Sequence, residues 1–306
     1  MPAIPPRHPP ASRWPLQIGP AAGLGAQDFY ALGMSSEYDE AYGNTNPDTF
    51  DSPTSRFTHV LHYVSGQITS VYRITDWLTD LWWSPAAAKG LAVGFPRSIF
   101  EFDAQAIREH MLNGHDGSFF SIWGLDETDV YACGYKPFAM HRHAGVWHPI
   151  ALPRSCHPQL HDVWAFSPQE VYFVGGEGTV LHYDGSRCIA LEVPTTRYLY
   201  AVAPLDAERL CIGGASGLLM MGNRHGLRVV PSGTDDNIEI LAHLGGKVYY
   251  VSEQALHAFD GSATPITVLQ QPFDAVYSLG DALLLQEGTD AWLYDGQQLT
   301  PLPTTI

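Results

Sequence analysis

At 306 residues, 45% of them hydrophobic, the chain is long enough for one large all-β domain or two ordinary ones. Its 32 Asp plus Glu against 16 Lys plus Arg give a net charge of −16, a surface that repels phosphate backbones and anionic lipid and attracts a basic protein. No run of about 18 apolar residues is present, so no membrane-spanning helix is predicted.

Residues 1–13, MPAIPPRHPPASR, hold five prolines before position 11 and read as a mobile, extended arm without the apolar stretch of a secretory signal. Residues 14–306 read as one folded domain. AAGLGAQDFYALG at 21–33 opens a recurring phrase: an apolar strand A, a polar turn, and a strand B ending in glycine. Its third strand, HVLHYVSG at 59–66, arrives late, after an insertion at 34–57. LWWSPAAAKGLAVG at 81–94, followed by SIFEFD, repeats the pattern. The sharpest forms are WGLDETDVYACG at 123–134 and WAFSPQEVYFVG at 164–175, forty-one residues apart. The second continues into VLHY, closed by the Asp184-Gly185 hairpin signal, and a strand D, CIALEV.

LYAVAPLDAERLCIGG with GLLMMGN, IEILAHLGGKVYYVS with LHAFDG, and DAVYSLGDALLLQ with AWLYDG and QLTPLP complete the series. The strand-B glycines Gly94, Gly134, Gly175 and Gly213 are separated by 40, 41 and 38 residues. Seven such units of about 40 residues predict an all-β fold, a single β-propeller of seven four-stranded blades. The 29 glycines and 23 prolines suit its many short strands and tight turns. At the closure, residues 14–18 are expected either beside the last strand or packed elsewhere. Cys133, Cys156, Cys188 and Cys211 match neither a zinc framework nor a redox pair, which predicts a reduced, cytoplasmic protein.

The phrase IWG-x-x-x-x-DVYA-x-G with LHYDG resembles repeats of bacterial propellers of the BNR and photosystem-assembly-factor types. The resemblance implies the fold rather than an activity. The Asp box of sialidases and the GH…WD signature of WD40 repeats are absent. The GG doublets resemble kelch repeats, whose period is nearer about 50.

The insertion reads MSSEYDEAYGNTNPDTFDSPTSRF. Its acids Glu37, Asp39, Glu40, Asp48 and Asp51 interleave with Tyr38, Tyr42 and Phe50, a composition suited to protein contact because rigid aromatics give area at low entropic cost. Strand B–C turns of a propeller share one face, so Tyr135, Phe138, Glu177 and Glu253 are expected beside the insertion. The 14 histidines form no HExxH or Cys/His framework; His62 and His182 share a repeat position, and no metal or cofactor is predicted. Trp77, Trp82 and Trp83 are expected to pack between blades. These features predict a non-enzymatic protein-binding propeller, a monomer apart from its basic partner, on the pattern of immunity proteins that neutralise antibacterial toxins. The alternative is a carbohydrate-active enzyme or lectin with a pocket at the channel mouth, which needs two facing carboxylates.

Overall fold

The computed structural model describes residues 17–36, 56–112, 117–154, 156, 159–262 and 264–304. Among these, seven antiparallel sheets each take four strands consecutive in sequence. Blade 1 is β1 (Gln17–Gly25), β2 (Asp28–Ser36), β3 (Arg56–Val64) and β4 (Gln67–Ile74). Blade 2 is β5 (Trp77–Ser84), β6 (Lys89–Phe95), β7 (Ser98–Phe102) and β8 (Ile107–Met111). Blade 3 is β9 (Phe119–Gly124), β10 (Asp129–Gly134), β11 (Phe138–His143) and β12 (Val146–Ile150). Blade 4 is β13 (Leu160–Ser167), β14 (Glu170–Gly175), β15 (Thr179–Tyr183) and β16 (Cys188–Ala190). Blade 5 is β17 (Leu199–Pro204), β18 (Leu210–Gly214), β19 (Leu219–Asn223) and β20 (Gly226–Val230). Blade 6 is β21 (Ala242–Leu244), β22 (Lys247–Val251), β23 (Leu256–Phe259) and β24 (Ile266–Leu269). Blade 7 is β25 (Ala275–Ser278), β26 (Leu283–Glu287), β27 (Asp290–Tyr294) and β28 (Leu299–Leu302).

The first strands touch one another in turn around a central channel, and β25 returns to β1. The chain is a seven-bladed β-propeller. Second strands carry most of the buried apolar weight, because their side chains on both faces meet a neighbouring blade. Tyr131, Tyr172 and Phe173 are fully buried there, each contributing roughly 1.5–3 kcal/mol of burial energy or more. The core is accordingly divided into clusters, each shared by adjacent blades. Tyr131 and Cys133 of blade 3 meet Val163 and Phe173 of blade 4, and Phe29 and Leu61 of blade 1 meet Leu279 and Leu284 of blade 7.

That last cluster closes the ring. Gln17 and Ile18 pair with Met34 and Gly33 inside blade 1, while β28 pairs with β27. No strand is exchanged between the two ends among the described residues; packing holds the seam, helped by Ala26 N–H donating to Asp281 Oδ1 at 2.7 Å.

Two expectations shift by a few residues. The repeat glycine of blade 5 is Gly214: it pairs with Leu199 as Gly175 pairs with Leu160 and Gly134 with Phe119. Its close approach explains the residue type, since a Cβ at Gly134 would fall on the Ser118 carbonyl oxygen and one at Gly214 on that of Tyr198. In blade 6 the inner strand begins only at Ala242, because Ile238 N–H is donated to Gly214 O and its side chain is buried in the cluster between blades 5 and 6.

The histidines at the shared position form a repeated clasp. His62 lies on Tyr30 at 4.2 Å and bonds Asp28 at 2.8 Å. His141 lies on Tyr131 at 4.5 Å and bonds Asp129 at 2.7 Å, and His182 is tilted against Tyr172 at 5.2 Å with its Nε2 3.4 Å from Glu170, a looser form of the same arrangement. An acid opening strand B, a tyrosine two residues on and a histidine across the pair together tie strands B and C.

Candidate interaction face at the channel mouth

Because strands alternate in direction, every B–C turn and every blade-to-blade connection emerges at one end of the ring, termed the upper face. The inner strands start there, and several carry the same irregularity just after they start. In β5, β9, β13 and β17 one residue is skipped in the pairing with the second strand: Thr79, Phe120, His161 and Tyr200. A bulge of this kind re-aims the extra side chain and sharpens the local twist.

Three of these four residues are aromatic, and they meet. Phe120 stacks on His161 at 5.3 Å and 18°, and His161 stands edge-on to Tyr200 at 5.5 Å. The row continues through Phe95 to Trp77 on one side and to Tyr198 on the other. An arc of six rings thus crosses blades 2 to 5. Its ends are open to solvent: Trp77 is 54% exposed and Tyr198 39%. The four rings between them, Phe95, Phe120, His161 and Tyr200, are half-buried.

Below the arc, the next position along the inner strands fastens neighbouring blades. Asp80 accepts from Leu81 N at 2.8 Å and, across the blade boundary, from Ile122 N at 2.9 Å. Asp162 accepts from Val163 N at 2.8 Å, from Ser121 Oγ at 2.7 Å and from Val202 N of blade 5 at 2.8 Å. Desolvation pushes the Asp80 carboxyl up to about 7 and that of Asp162 to about 6, against the lowering effect of those donated hydrogen bonds. Burial also holds the His161 imidazole below the ordinary histidine range, partly offset by the nearby charge of Glu239.

The channel holds a cavity of about 570 Å³, lined by Trp123, Trp164, Tyr200, Glu239, His243 and Tyr277 among others. Trp123 and Trp164 pack at 3.7 Å between ring centroids. Their indole N–H groups are buried and make no hydrogen bond among the described residues, and neither does His161 Nε2.

Of the residues expected in the site, Glu37, Tyr38, Asp39, Glu40, Tyr42, Asp48, Phe50 and Asp51 lie outside the described residues. Their anchors are placed: β2 and β3 pair as far as Ser36 opposite Arg56, so β2 ends and β3 begins side by side on the upper face. Phe57 belongs to β3, with the Arg73 guanidinium 3.5 Å from its ring centroid. Tyr135 is half exposed in the β10–β11 turn of the same face. Glu177 is exposed at the tip of the Gly176–Gly178 turn, and Glu253, also exposed, donates its N–H to Asp236 Oδ2 at 2.9 Å. Phe138 turns inward and packs edge-on against Phe119 at 5.1 Å. Trp82 and Trp83 pack between blades as expected, whereas Trp77 stands in solvent at the start of β5.

The arc itself was not anticipated, although its signal is in the chain. Phe120, His161 and Tyr200 are 41 and 39 residues apart, the period of the repeat glycines. At the opposite face, Asp129, His141 and His143 bring their ligand atoms within 4.8 Å of one another. The Asp129–His141 pair there is the clasp also present in blade 1 and, with Glu170, in blade 4.

No protein-family model matches this chain. It is 28% identical over 143 residues to the immune protein Tsi7 of Pseudomonas aeruginosa, a match covering 45% of this chain and 47% of that protein. The match thus spans about half the length of that relative. Among solved structures, the WD40 β-propeller domain of Doa1 superposes with a TM-score of 0.68 at 12% identity, over 94% of this chain and 93% of that one. YCF48 bound to a D1 peptide gives a TM-score of 0.60 at 14% identity, over 74% and 80%. Both likenesses concern the fold.

Proposed function

We propose that this protein is a non-enzymatic, protein-binding propeller that engages a basic partner protein through its upper face, in the role of an immunity protein neutralising an antibacterial toxin. The observation that carries the reading is the coincidence on one face of an aromatic arc with exposed ends and both anchors of an acidic, aromatic insertion. Partial identity to an immune protein supports the toxin-directed role, and a propeller of the same fold is seen with a bound peptide. Net charge of −16 favours a basic partner and accelerates its approach.

The buried chemistry supports binding over hydrolysis. A glycosidase needs two carboxylates free to address a substrate. Of the three acids lining the channel among the described residues, Asp80 and Asp162 have both oxygens occupied by backbone N–H or hydroxyl donors from the blade boundary, which leaves Glu239 alone at the rim. The chemistry of Asp80 and Asp162 is fastening.

The test replaces Glu37, Asp39 and Glu40 together by Lys. Co-purification with a basic partner protein, and rescue of cells expressing it if it is a toxin, are expected to be lost while the melting curve stays unchanged. Undiminished capture and rescue by the variant would overturn the assignment of the face.

A further inference from the structure

The cavity of the central channel, open to the arc at its upper end, has a one-sided charge. Among the described residues that line it are three acids, Asp80, Asp162 and Glu239, and no lysine or arginine. Its two histidines, His161 and His243, are both held below the ordinary histidine range by burial and so are neutral near pH 7. Glu239 is exposed at the rim, on the connection entering blade 6, and its charge reaches both His161 and Tyr200. Of the arginines adjoining the arc, Arg97 lies two residues from Phe95 in the β6–β7 turn, and Arg197 points its guanidinium to the Ser216 carbonyl of the blade 5 turn at 3.2 Å.

Aromatic faces beside an uncompensated carboxylate attract a cation. The ring quadrupole presents negative potential over the face, and partial exclusion of water strengthens the attraction. Phe120, His161 and Tyr200 supply rings at centroid spacings of 5.3 and 5.5 Å, fixed by three successive backbone bulges and therefore already organised before anything binds. A long, flexible side chain with a positive head fits such a recess, its methylenes against the rings and its head toward Glu239.

Resting on the protein-binding reading above, we infer that the channel mouth receives one lysine or arginine side chain of the basic partner, seated over Phe120, His161 and Tyr200 and against Glu239. This makes the mouth the central anchor of the contact. Central, desolvated anchors dominate protein interfaces, whereas peripheral charges act mainly on encounter.

The experiment titrates the full chain with three blocked tripeptides, Gly-Arg-Gly, Gly-Gln-Gly and Gly-Glu-Gly, read by saturation-transfer NMR. The arginine peptide is expected to bind about tenfold more tightly than its glutamine counterpart, and the glutamate peptide to give no signal. Glu239→Gln is expected to weaken the arginine peptide about fivefold. Glu208→Gln, exposed in the β17–β18 turn of the opposite face, is expected to leave it unchanged. Equal binding of the arginine and glutamine peptides, or no effect of Glu239→Gln with the melting curve preserved, overturns the cation site. If the peptides show no preference while the triple lysine variant of the insertion still loses the toxin, the cation site fails and the partner reading stands. If that variant also keeps its toxin, both fail.

Discussion

Replacing Asp162 by Ala removes the fastening between the inner strands of blades 3, 4 and 5. Three donors lose their acceptor: Val202 N, Val163 N and Ser121 Oγ. The serine hydroxyl can rotate to Asp80, with which it already interacts, so the stranded groups are the two backbone N–H groups. A buried donor left without a partner costs about 1–3 kcal/mol, and entry of water from the adjoining cavity lowers that figure. A net loss of about 2 kcal/mol follows for acid conditions.

The loss is pH-dependent, with a definite sign. The folded carboxyl of Asp162 is raised to about 6 from an ordinary 3.8, so between those values the native state holds the proton more tightly than the unfolded chain. Its favourable contribution is complete below about 3.8 and is lost as pH rises through about 6. The gap between wild type and Asp162→Ala is therefore larger at pH 5 than at pH 8. Urea unfolding followed by tryptophan fluorescence at both values measures it. The control is Asp206→Ala, which removes an exposed pair with Arg209 and two solvent-accessible turn hydrogen bonds from Glu208 N and Arg209 N, together worth about 1 kcal/mol because water replaces them. A gap at pH 5 no larger than that of the control, or one that grows toward pH 8, would refute the fastening role.

Gly134→Ala puts a Cβ onto the Ser118 carbonyl oxygen and is expected to cost about 2 kcal/mol or more in urea unfolding. Gly226→Ala, where a Cβ meets open space, is expected to stay within about 0.5 kcal/mol; parity of the two would contradict the close-approach explanation. All four cysteines are free, and burial pushes the thiols of Cys156 to about 11 and of Cys188 and Cys211 to about 12, with Cys133 also raised. Ellman's reagent at pH 8 should leave the native protein almost unlabelled and titrate four thiols per chain in guanidinium, and rapid labelling of native protein would contradict this.

The blades were legible because their architecture writes itself into spacing. Gly94, Gly134 and Gly175 recur where strand B crowds the start of strand A, and Tyr131 and Tyr172 recur where blades meet. Strand alternation says nothing about a skipped residue, however. Phe120 follows directly on the buried Phe119 and in sequence reads as part of an apolar pair, and nothing in Leu160-His161-Asp162 marks His161 as lying off the ladder. Only the register shows that they leave the ladder and turn to the mouth. Trp77 was misplaced for a related reason: grouped with Trp82 and Trp83 it looks like core, yet it begins β5 at the rim. Gly213 and Gly214 could not be told apart by composition, because both approach a neighbour closely and only pairing with Leu199 separates them.

Hydrogen–deuterium exchange on a complex with the basic partner proposed above tests the upper-face assignment most directly. The account predicts new protection of residues 37–55 and of the starts of β9, β13 and β17, with the β17–β18 turn and its neighbours on the opposite face exchanging as in the free protein. Protection confined to that opposite face, with the channel mouth unchanged, would contradict it.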